Sequence, residues 1–377
     1  MSDKGKSPAT TPPPEDSPAT RKPSPAANDE LPPASTIDGL IEVDRNVGSP
    51  TCLLSGTMST DKHVQLDDDN DSAIGDSVST YTSSLASSVI DYPIEHGRQY
   101  HAYRAGRYSR PNDDAEMERL LLLHEIMTRT IGGLYLAPID KHKTHRILDI
   151  GTGTGIWAIS IGDKFPHAEV IGNDLSANMP TFVPPNVKFE VDDVESPWLH
   201  DAKFDWIFCR YMAAGIFDWP KLVSNIYDNL TPHGWAEFQD FDLQYYSDDG
   251  SLAPDDPLLV WISSLLDAAR ALKRDPNPGS QLEGWVRGAG FVNVAHKRYK
   301  IPIGPWARDP ALKEIGLLNY WQVNGGLEGL TLRLFTGVLG WKKDEILVLL
   351  AKVRQSLRNP AVHAMFDFHV VYGQRVE

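Results

Sequence analysis

The sequence predicts an α/β fold built on a mostly parallel sheet with helices on both faces. Strand-like and helix-like segments alternate after about residue 145 at a spacing that requires parallel strands joined by crossover helices. The first of these strands runs into a glycine-rich loop and then into a helix. With 377 residues, the chain is long enough for one large domain or two ordinary ones.

The composition excludes several classes of protein. The formal charge of −15 argues against broad binding to a nucleic-acid phosphate backbone. The two cysteines, Cys52 and Cys209, lie far apart, so neither a disulfide framework nor a cysteine zinc site is expected. No apolar run reaches the roughly 20 residues of a membrane span, and the N-terminus has no apolar signal segment. We therefore expect an intracellular protein, cytoplasmic or nuclear, that binds neither membranes nor nucleic acid directly.

Residues 1–90 are predicted to form a disordered tail rich in Pro, Ser and Asp. Residues 1–80 contain no aromatic Phe, Trp or Tyr, and residues 67–71 are acidic. Such a segment buries too little apolar surface to offset the entropy of ordering it. Ser-Pro and Thr-Pro pairs could accept phosphate from proline-directed kinases, and a solvated tail without a specific role is the alternative. These pairs begin at Ser7, Thr11, Ser17, Ser24 and Ser49.

Residues 91–377 are predicted to form the folded domain. The domain begins with an aromatic and basic segment, in which residues 100–108 either fold over a cationic ligand or anchor the tail to the core. Pro111 and Asn112 then open a helix with an acidic first turn, which suits the positive end of a helix dipole.

The remaining elements follow from the hydrophobic pattern of the chain. Strands are predicted at residues 145–150, 169–174, 187–191, 204–210, 235–241, 291–299 and 364–374. Helices are predicted at residues 156–165, 221–230, 258–273, 281–290 and 344–359. Residues 243–345 contain cap or insert elements, and within them the Trp- and Gly-rich stretch 303–340 is predicted to be irregular. That stretch either caps a substrate pocket or binds a partner.

The glycine loop, residues 151–155, follows the first strand of the sheet. Its Gly-x-Gly-x-Gly spacing allows a tight turn and close approach of a ligand, and Ile156 replaces the third glycine of a dinucleotide-binding loop. Asp149, just before the loop, suits a cationic ligand better than a pyrophosphate. Asp174 ends the next strand, where it can accept hydrogen bonds from ribose hydroxyls.

A third acidic residue, Asp193, follows the next strand along the chain. Its carboxylate can accept a hydrogen bond from an adenine amino group, and a loop acid or helix cap is the alternative interpretation. Ligands of open α/β sheets bind where the carboxyl ends of the strands meet. Acidic residues at three successive strand ends favour S-adenosylmethionine, which carries an ammonium and a sulfonium, over a nicotinamide dinucleotide.

These motifs resemble class I S-adenosylmethionine-dependent methyltransferases and, within them, the fungal LaeA-like group. The resemblance extends from about residue 88 to the C-terminus and includes EHGRQYHAYRAGRY (95–108), LDIGTGTGIWAI (148–159) and VDDVESPW (191–198). It implies a Rossmann-like sheet with an antiparallel last strand, and S-adenosylmethionine as the methyl donor. By this resemblance and the reasoning above, the donor-binding residues are Asp149, Gly151, Thr152, Gly153, Gly155, Asp174, Leu175, Asp193, Val194, Tyr103 and Arg210.

Catalysis of methyl transfer requires mainly that the acceptor be held in line with an already activated carbon. Neither a catalytic triad nor a metal site is therefore expected, and a base is useful only for some acceptors. Arg210, after the fourth strand, either orients an anionic group or forms a structural salt bridge. Glu237 and Asp240, in the fifth strand, are candidates for a base or an amine ligand, unless strand alternation turns one of them to solvent.

Two functions remain open from the sequence. The first is an enzyme that transfers a methyl group to an O, N or S atom of a small molecule, a fungal secondary metabolite. The alternative is a LaeA-like nuclear regulator that controls secondary-metabolite genes through partner proteins.

Overall fold

The structure, a computed structural model, describes residues 39–45, 48, 92–101 and 109–377. By its contacts the chain divides into residues 1–30 and 31–377, and every described residue belongs to the second part. Most of the predicted tail, with its Ser-Pro and Thr-Pro pairs and acidic stretch, lies outside the described residues. So does Tyr103.

A seven-stranded sheet forms the centre of the described domain. A short hairpin, β1–β2, with two residues in each strand, precedes it. The strands are β1 (Ile94–Glu95), β2 (Arg98–Gln99), β3 (Arg146–Ile150), β4 (Glu169–Asp174), β5 (Val187–Val191), β6 (Phe204–Arg210), β7 (Leu230–Tyr246), β8 (Val292–Pro302) and β9 (Met365–Gln374). Their order in the sheet is β5-β4-β3-β6-β7-β9-β8. Strands β3 to β7 pair in parallel, whereas β9 is antiparallel to both of its neighbours. The predicted sheet, with an antiparallel last strand, is confirmed.

Helices cover both faces of this sheet. They are α1 (Asp114–Ile131), α2 (Ile156–Lys164), α3 (Trp219–Asn229), α4 (Pro257–Ala271), α5 (Leu282–Gly288), α6 (Pro310–Gly337) and α7 (Lys343–Arg358). The first helix begins slightly later than Pro111 and Asn112, because the Asp113 carboxylate caps it by accepting the Glu116 N–H. None of the described helices is long and apolar enough to cross a membrane.

The alternation of side chains along β6 explains why its sequence is apolar at almost every position. Trp206 and Phe208 point to the face covered by α2, where Trp157 stacks on Phe208 with ring centroids 3.7 Å apart. Ile207 and Cys209 point to the opposite face, into the core that α3 and α5 cover. A parallel strand buried on both faces requires such a continuous apolar run.

The prediction of an irregular stretch over residues 303–340 is wrong. Residues Pro310–Gly337 form one 28-residue helix, α6, which begins where the Asp309 carboxylate accepts the Leu312 N–H. The glycines of this region suggested a break in regular structure, but at least one of them lies within the helix and allows close packing. A Cβ at Gly316 would overlap the backbone carbonyl of Gly304. The α6 backbone therefore lies directly against the segment after β8, where the Gly304 N–H donates to the Gly316 carbonyl.

A short segment of the predicted tail, residues 39–45, is ordered against the domain. Val43 forms an antiparallel bridge with Ala307, and the Asp44 N–H donates to the Trp306 carbonyl at 2.8 Å. Ile41 belongs to the same apolar core as α4 and α6. One buried isoleucine and several backbone bonds thus hold residues 39–45 against the domain, and disorder of the predicted tail as a whole stays a prediction.

Candidate active site

A cleft of about 1190 Å³, part of it open to solvent, lies at the carboxyl ends of β3, β4 and β6; we call it the cofactor cleft. The buried face of α1 and the loops after these three strands and after β5 surround it. Most of the residues predicted to bind the donor line it. They are Gly151, Thr152, Gly153, Asp174, Leu175, Asp193, Val194 and Arg210.

The glycine loop adopts a backbone conformation that ordinary residues rarely enter. Its three glycines have φ angles of +67°, +56° and +75°. At Gly155 a Cβ would also collide with the Phe189 ring, so this glycine allows α2 to pack closely on the sheet, and it does not line the cleft. Two side chains fix the loop: Thr152 donates to Asp149 at 2.6 Å, and the Gly153 N–H donates to Asp174 at 3.0 Å.

Asp149 lies beneath the cleft rather than on its surface. Its side chain is buried, and burial raises the pKa of its carboxyl to about 7, while the Thr152 hydroxyl and the nearby Arg210 charge act in the opposite direction. Asp149 therefore does not line the cleft, although the sequence predicted that it contacts the ligand directly. Through Thr152 it shapes the loop that does line the cleft.

Asp174 is held from behind by two backbone donors. The N–H groups of Gly153 and Ser176 each donate to one of its carboxylate oxygens at 3.0 Å. Burial raises the pKa of Asp174, and these bonds and the charge of His101 counteract that effect. Asp193 is similarly oriented by the Glu195 N–H at 3.0 Å. Both carboxylates therefore line the cleft in fixed orientations. The bond from the Glu195 N–H also fits the alternative interpretation of Asp193 as an acid that stabilises its own loop.

Arg210 meets a histidine that the sequence did not single out. Its guanidinium donates to Nδ1 of His124 at 2.8 Å, and both residues line the cleft. Burial and the Arg210 charge lower the pKa of His124 to about 3, so this imidazole is neutral and carries its proton on Nε2. Burial also lowers the pKa of Arg210 to about 10. The sequence signal that could have identified His124 is its position as a polar residue within the apolar stripe of α1, between Leu120 and Met127.

Glu237 does not reach the cofactor cleft. Its side chain is fully buried and accepts the N–H groups of Leu136 and Ala137 at 2.6 to 3.0 Å, together with the Gln239 amide at 2.7 Å. Burial raises the pKa of the Glu237 carboxyl to about 7. It anchors the segment after α1 to β7.

Asp240 is buried in the same way on the other face of β7. It accepts the N–H groups of Met212, Ala213 and Phe241 at 2.7 to 3.2 Å, and burial raises its pKa to about 7. The expectation that strand alternation exposes one of the two acidic residues fails, because β7 is covered on both faces. Neither Glu237 nor Asp240 lines the cleft.

Tyr100 supports the anchoring alternative for the aromatic segment. Its ring is fully buried, and the Arg333 guanidinium lies over it, 4.3 Å from the centroid. Tyr100 therefore ties the segment before α1 to helix α6. Tyr103 and Tyr108 lie outside the described residues.

Buried polar atoms in the cleft are left without partners among the described residues. They are both amide atoms of Asn112 and the side-chain oxygen of Asn173. An unpaired buried polar group is costly, so such atoms indicate where a polar ligand fits. Together with the two oriented carboxylates and the open glycine loop, they match a nucleoside that carries hydroxyls, an amino group and positive charge. The site fits S-adenosylmethionine.

The sheet order and this cleft together define a class I methyltransferase. The sequence family described as "Methyltransferase domain" matches residues 123–296. The chain is 44% identical over 314 residues to "Methyltransferase pytC" of Aspergillus terreus, with 83% of this chain and 96% of that protein covered.

Two further relatives show similar coverage. "Secondary metabolism regulator LAE1" of Cochliobolus heterostrophus is 35% identical over 75% of this chain and 94% of its own length. "Probable methyltransferase tdiE" of Emericella nidulans is 32% identical over 78% of this chain and 92% of its own length. The chain belongs to the LaeA-like family of class I S-adenosylmethionine-dependent methyltransferases. S-adenosylmethionine is its cofactor, and it requires a methyl acceptor as second substrate.

Proposed function

We propose that this methyltransferase methylates an O, N or S atom of a small molecule, a fungal secondary metabolite. The observation that carries the proposal is the cofactor cleft, where oriented carboxylates and unpaired amides surround an open glycine loop. The relatives named pytC and tdiE support an enzymatic role, because both are named as methyltransferases.

Within the cleft we assign the donor-binding roles as follows. Asp174 binds the ribose hydroxyls, Asp193 the adenine end, and the glycine loop the methionine part. When bound, S-adenosylmethionine supplies a methyl group already activated by a positively charged sulfur. The two backbone donors behind Asp174 hold its carboxylate in one orientation before the cofactor arrives, which lowers the entropic cost of binding.

The remaining residues of the cleft position the acceptor and exclude water. His124 is neutral and has Nε2–H free of partners among the described residues, so it can donate a hydrogen bond to an acceptor oxygen. Arg210 fixes that tautomer by donating to Nδ1. Of the three catalytic candidates, only Arg210 lines the cleft, and its role is positioning through His124.

Calorimetry with S-adenosylhomocysteine, the demethylated cofactor, tests the donor site. Asp174→Ala is expected to weaken binding by about 1–3 kcal/mol, or roughly fivefold to 150-fold, because it leaves buried polar partners unpaired. Asp163→Ala, an exposed carboxylate on α2, is the matched control and should bind normally. Equal affinities for the wild type and Asp174→Ala would contradict the assignment.

A second candidate function is nuclear regulation of secondary-metabolite genes through partner proteins. The similarity to LAE1, which is named as a secondary metabolism regulator, favours it. Replacing the chromosomal gene with the Asp174→Ala variant separates the two functions. A biosynthetic enzyme loses one methylated product while transcripts of the producing genes stay constant, whereas a regulator changes those transcripts.

A further inference from the structure

A second cavity of about 670 Å³, part of it open to solvent, adjoins the cofactor cleft. Helices α1, α4 and α6 and strands β7 and β9 enclose it, and it shares Leu123 and Tyr211 with the cleft. We call it the aromatic cavity. It is not explained by cofactor binding, because none of the described residues that were predicted to bind the donor lines it.

Aromatic rings form a continuous wall along this cavity. From the cleft inward, ring centroids lie 5.5 Å apart for Tyr211 and Phe241, and 5.1 Å apart for Phe241 and Phe366. Phe366 and Tyr245 are nearly parallel at 5.4 Å, and Tyr245 and Trp261 are 6.4 Å apart. Such a wall offers ring faces and edges to a flat ligand.

The two arginines that line the cavity already have partners. Arg110 donates to the Ala213 carbonyl at 2.7 Å and lies over the Tyr211 ring. Arg119 is buried and donates through two nitrogens to Glu116 at 2.7 and 2.8 Å, and to the Gln322 oxygen at 2.9 Å. Because groups of this chain already engage both guanidiniums, an uncharged ligand avoids the cost of burying a further charge.

One hydroxyl in the aromatic cavity is free. Tyr245 is only 6% exposed, yet its Oη makes no hydrogen bond to any described residue. Burial and the neighbouring Tyr211 raise the pKa of the Tyr245 phenol, so it stays protonated. This protonated hydroxyl can donate a hydrogen bond to a ligand oxygen in the cavity.

Tyr211 stands at the boundary between the cofactor cleft and the aromatic cavity. It directly follows β6 and has a φ angle of +56°, which is costly for a bulky residue. Neighbours hold it there: the Arg110 guanidinium lies 4.2 Å from the ring centroid, and the Tyr211 N–H donates to the Gln239 carbonyl at 2.9 Å. The strained backbone sets the ring where the two spaces meet.

We propose that the aromatic cavity binds the methyl acceptor, and that this acceptor is an uncharged, flat aromatic molecule with an oxygen that hydrogen-bonds to Tyr245. The inference rests on the proposed function and adds the chemical class of the substrate. The acceptor lies with its rings along the aromatic wall and its reactive end past Tyr211, toward the cofactor cleft.

Binding of two probes to the full-length protein, saturated with S-adenosylhomocysteine, tests this proposal. The probes are 2-naphthol and naphthalene, which share a ring system and differ by one hydroxyl, and calorimetry gives both affinities. Tyr245→Phe keeps the shape of the side chain and removes its hydroxyl. We expect it to weaken 2-naphthol binding by about three- to tenfold, with naphthalene unchanged, which corresponds to one hydrogen bond.

Two further variants complete the experiment. Leu265→Trp fills the aromatic cavity from α4 and should abolish binding of both probes while S-adenosylhomocysteine binds as in the wild type. Tyr227→Phe removes a hydroxyl far from this cavity and is the matched control for Tyr245→Phe.

The outcomes separate this inference from the proposed function. If S-adenosylhomocysteine binds and neither probe does, the aromatic cavity is not the acceptor site. Equal 2-naphthol affinity in Tyr245→Phe overturns the role of Tyr245, and full probe binding by a folded Leu265→Trp variant overturns the location. Failure of the wild type to bind S-adenosylhomocysteine overturns the proposed function itself.

Discussion

The cofactor cleft and the aromatic cavity meet at Leu123 and Tyr211 but are built in opposite ways. Loops at the ends of parallel strands form much of the cleft, and backbone N–H groups orient its carboxylates. Side chains of three helices and of strands β7 and β9 form most of the cavity, and ring contacts shape it. The proposed donor recognition therefore depends on local backbone geometry, whereas the proposed acceptor recognition depends on long-range packing.

The largest expected effect comes from a substitution on the cavity side. Trp261 is fully buried, and its Nε1–H donates to Thr331 at 2.8 Å. Trp261→Ala should lower the free energy of unfolding by about 3–5 kcal/mol, the usual cost of emptying so large a buried site. Urea denaturation measures this loss.

If the two sites are as independent as their construction indicates, the folded Trp261→Ala protein binds S-adenosylhomocysteine normally. Trp285→Ala, at a partly buried tryptophan on α5 that lines neither the cleft nor the cavity, serves as control. A tenfold loss of cofactor affinity in Trp261→Ala would show instead that the aromatic packing also sets the geometry of the cleft.

A smaller effect is the pH dependence of the free energy of unfolding, which comes from buried carboxyl groups on strands β3 and β7. In the native protein the pKa values of Asp149, Glu237 and Asp240 are about 7, above the ordinary values of 3.8 to 4.5. Between pH 5.5 and 8 the native state must therefore release protons that the unfolded chain has already lost. The free energy of unfolding falls as pH rises, by about 2 kcal/mol for each such group.

Urea midpoints at pH 5.5 and 8.0 measure this dependence. Glu237→Gln keeps an acceptor for the Leu136 and Ala137 N–H groups but cannot titrate, so it should flatten the profile by about 2 kcal/mol. A profile that Glu237→Gln leaves as steep as that of the wild type would mean that Glu237 is ionised throughout this range.

The smallest expected effect concerns the ordered segment 39–45. Two truncations, lacking residues 1–38 and residues 1–48, differ mainly by this segment. The shorter protein should be less stable by about 1 kcal/mol, since burial of Ile41 is partly offset by the entropy of ordering the segment. Both should bind S-adenosylhomocysteine with the affinity of the full chain. A loss of cofactor affinity in only the shorter protein would link this segment to the cleft.

The same contrast explains what the sequence could predict. The strand, the glycine loop and Asp174 form a continuous local pattern, so the sheet could be predicted, and most of the residues predicted to bind the donor do line the cleft. The aromatic wall was not, because Tyr211, Tyr245 and Phe366 come together only through the order of β6, β7 and β9 in the sheet.

Helix α6 was missed for a related reason. Its glycines and mixed apolar pattern indicate a loop when considered alone, but Gly316 is required by the close approach of the Gly304 backbone. His124 escaped notice because one histidine on an apolar helix face is usually a core residue. Only its contact with Arg210, 86 positions away, marks it as part of the cleft.

The position of β9 constrains how the domain is made. Its residues, Met365–Gln374, follow β8 in the chain, yet they join β8 to the rest of the sheet. During synthesis β3 to β7 can pair before β9 has been made, but β8 has no neighbour in the sheet until β9 follows it. The aromatic cavity needs Phe366 and therefore closes only after β9 has been made, whereas the glycine loop can form earlier.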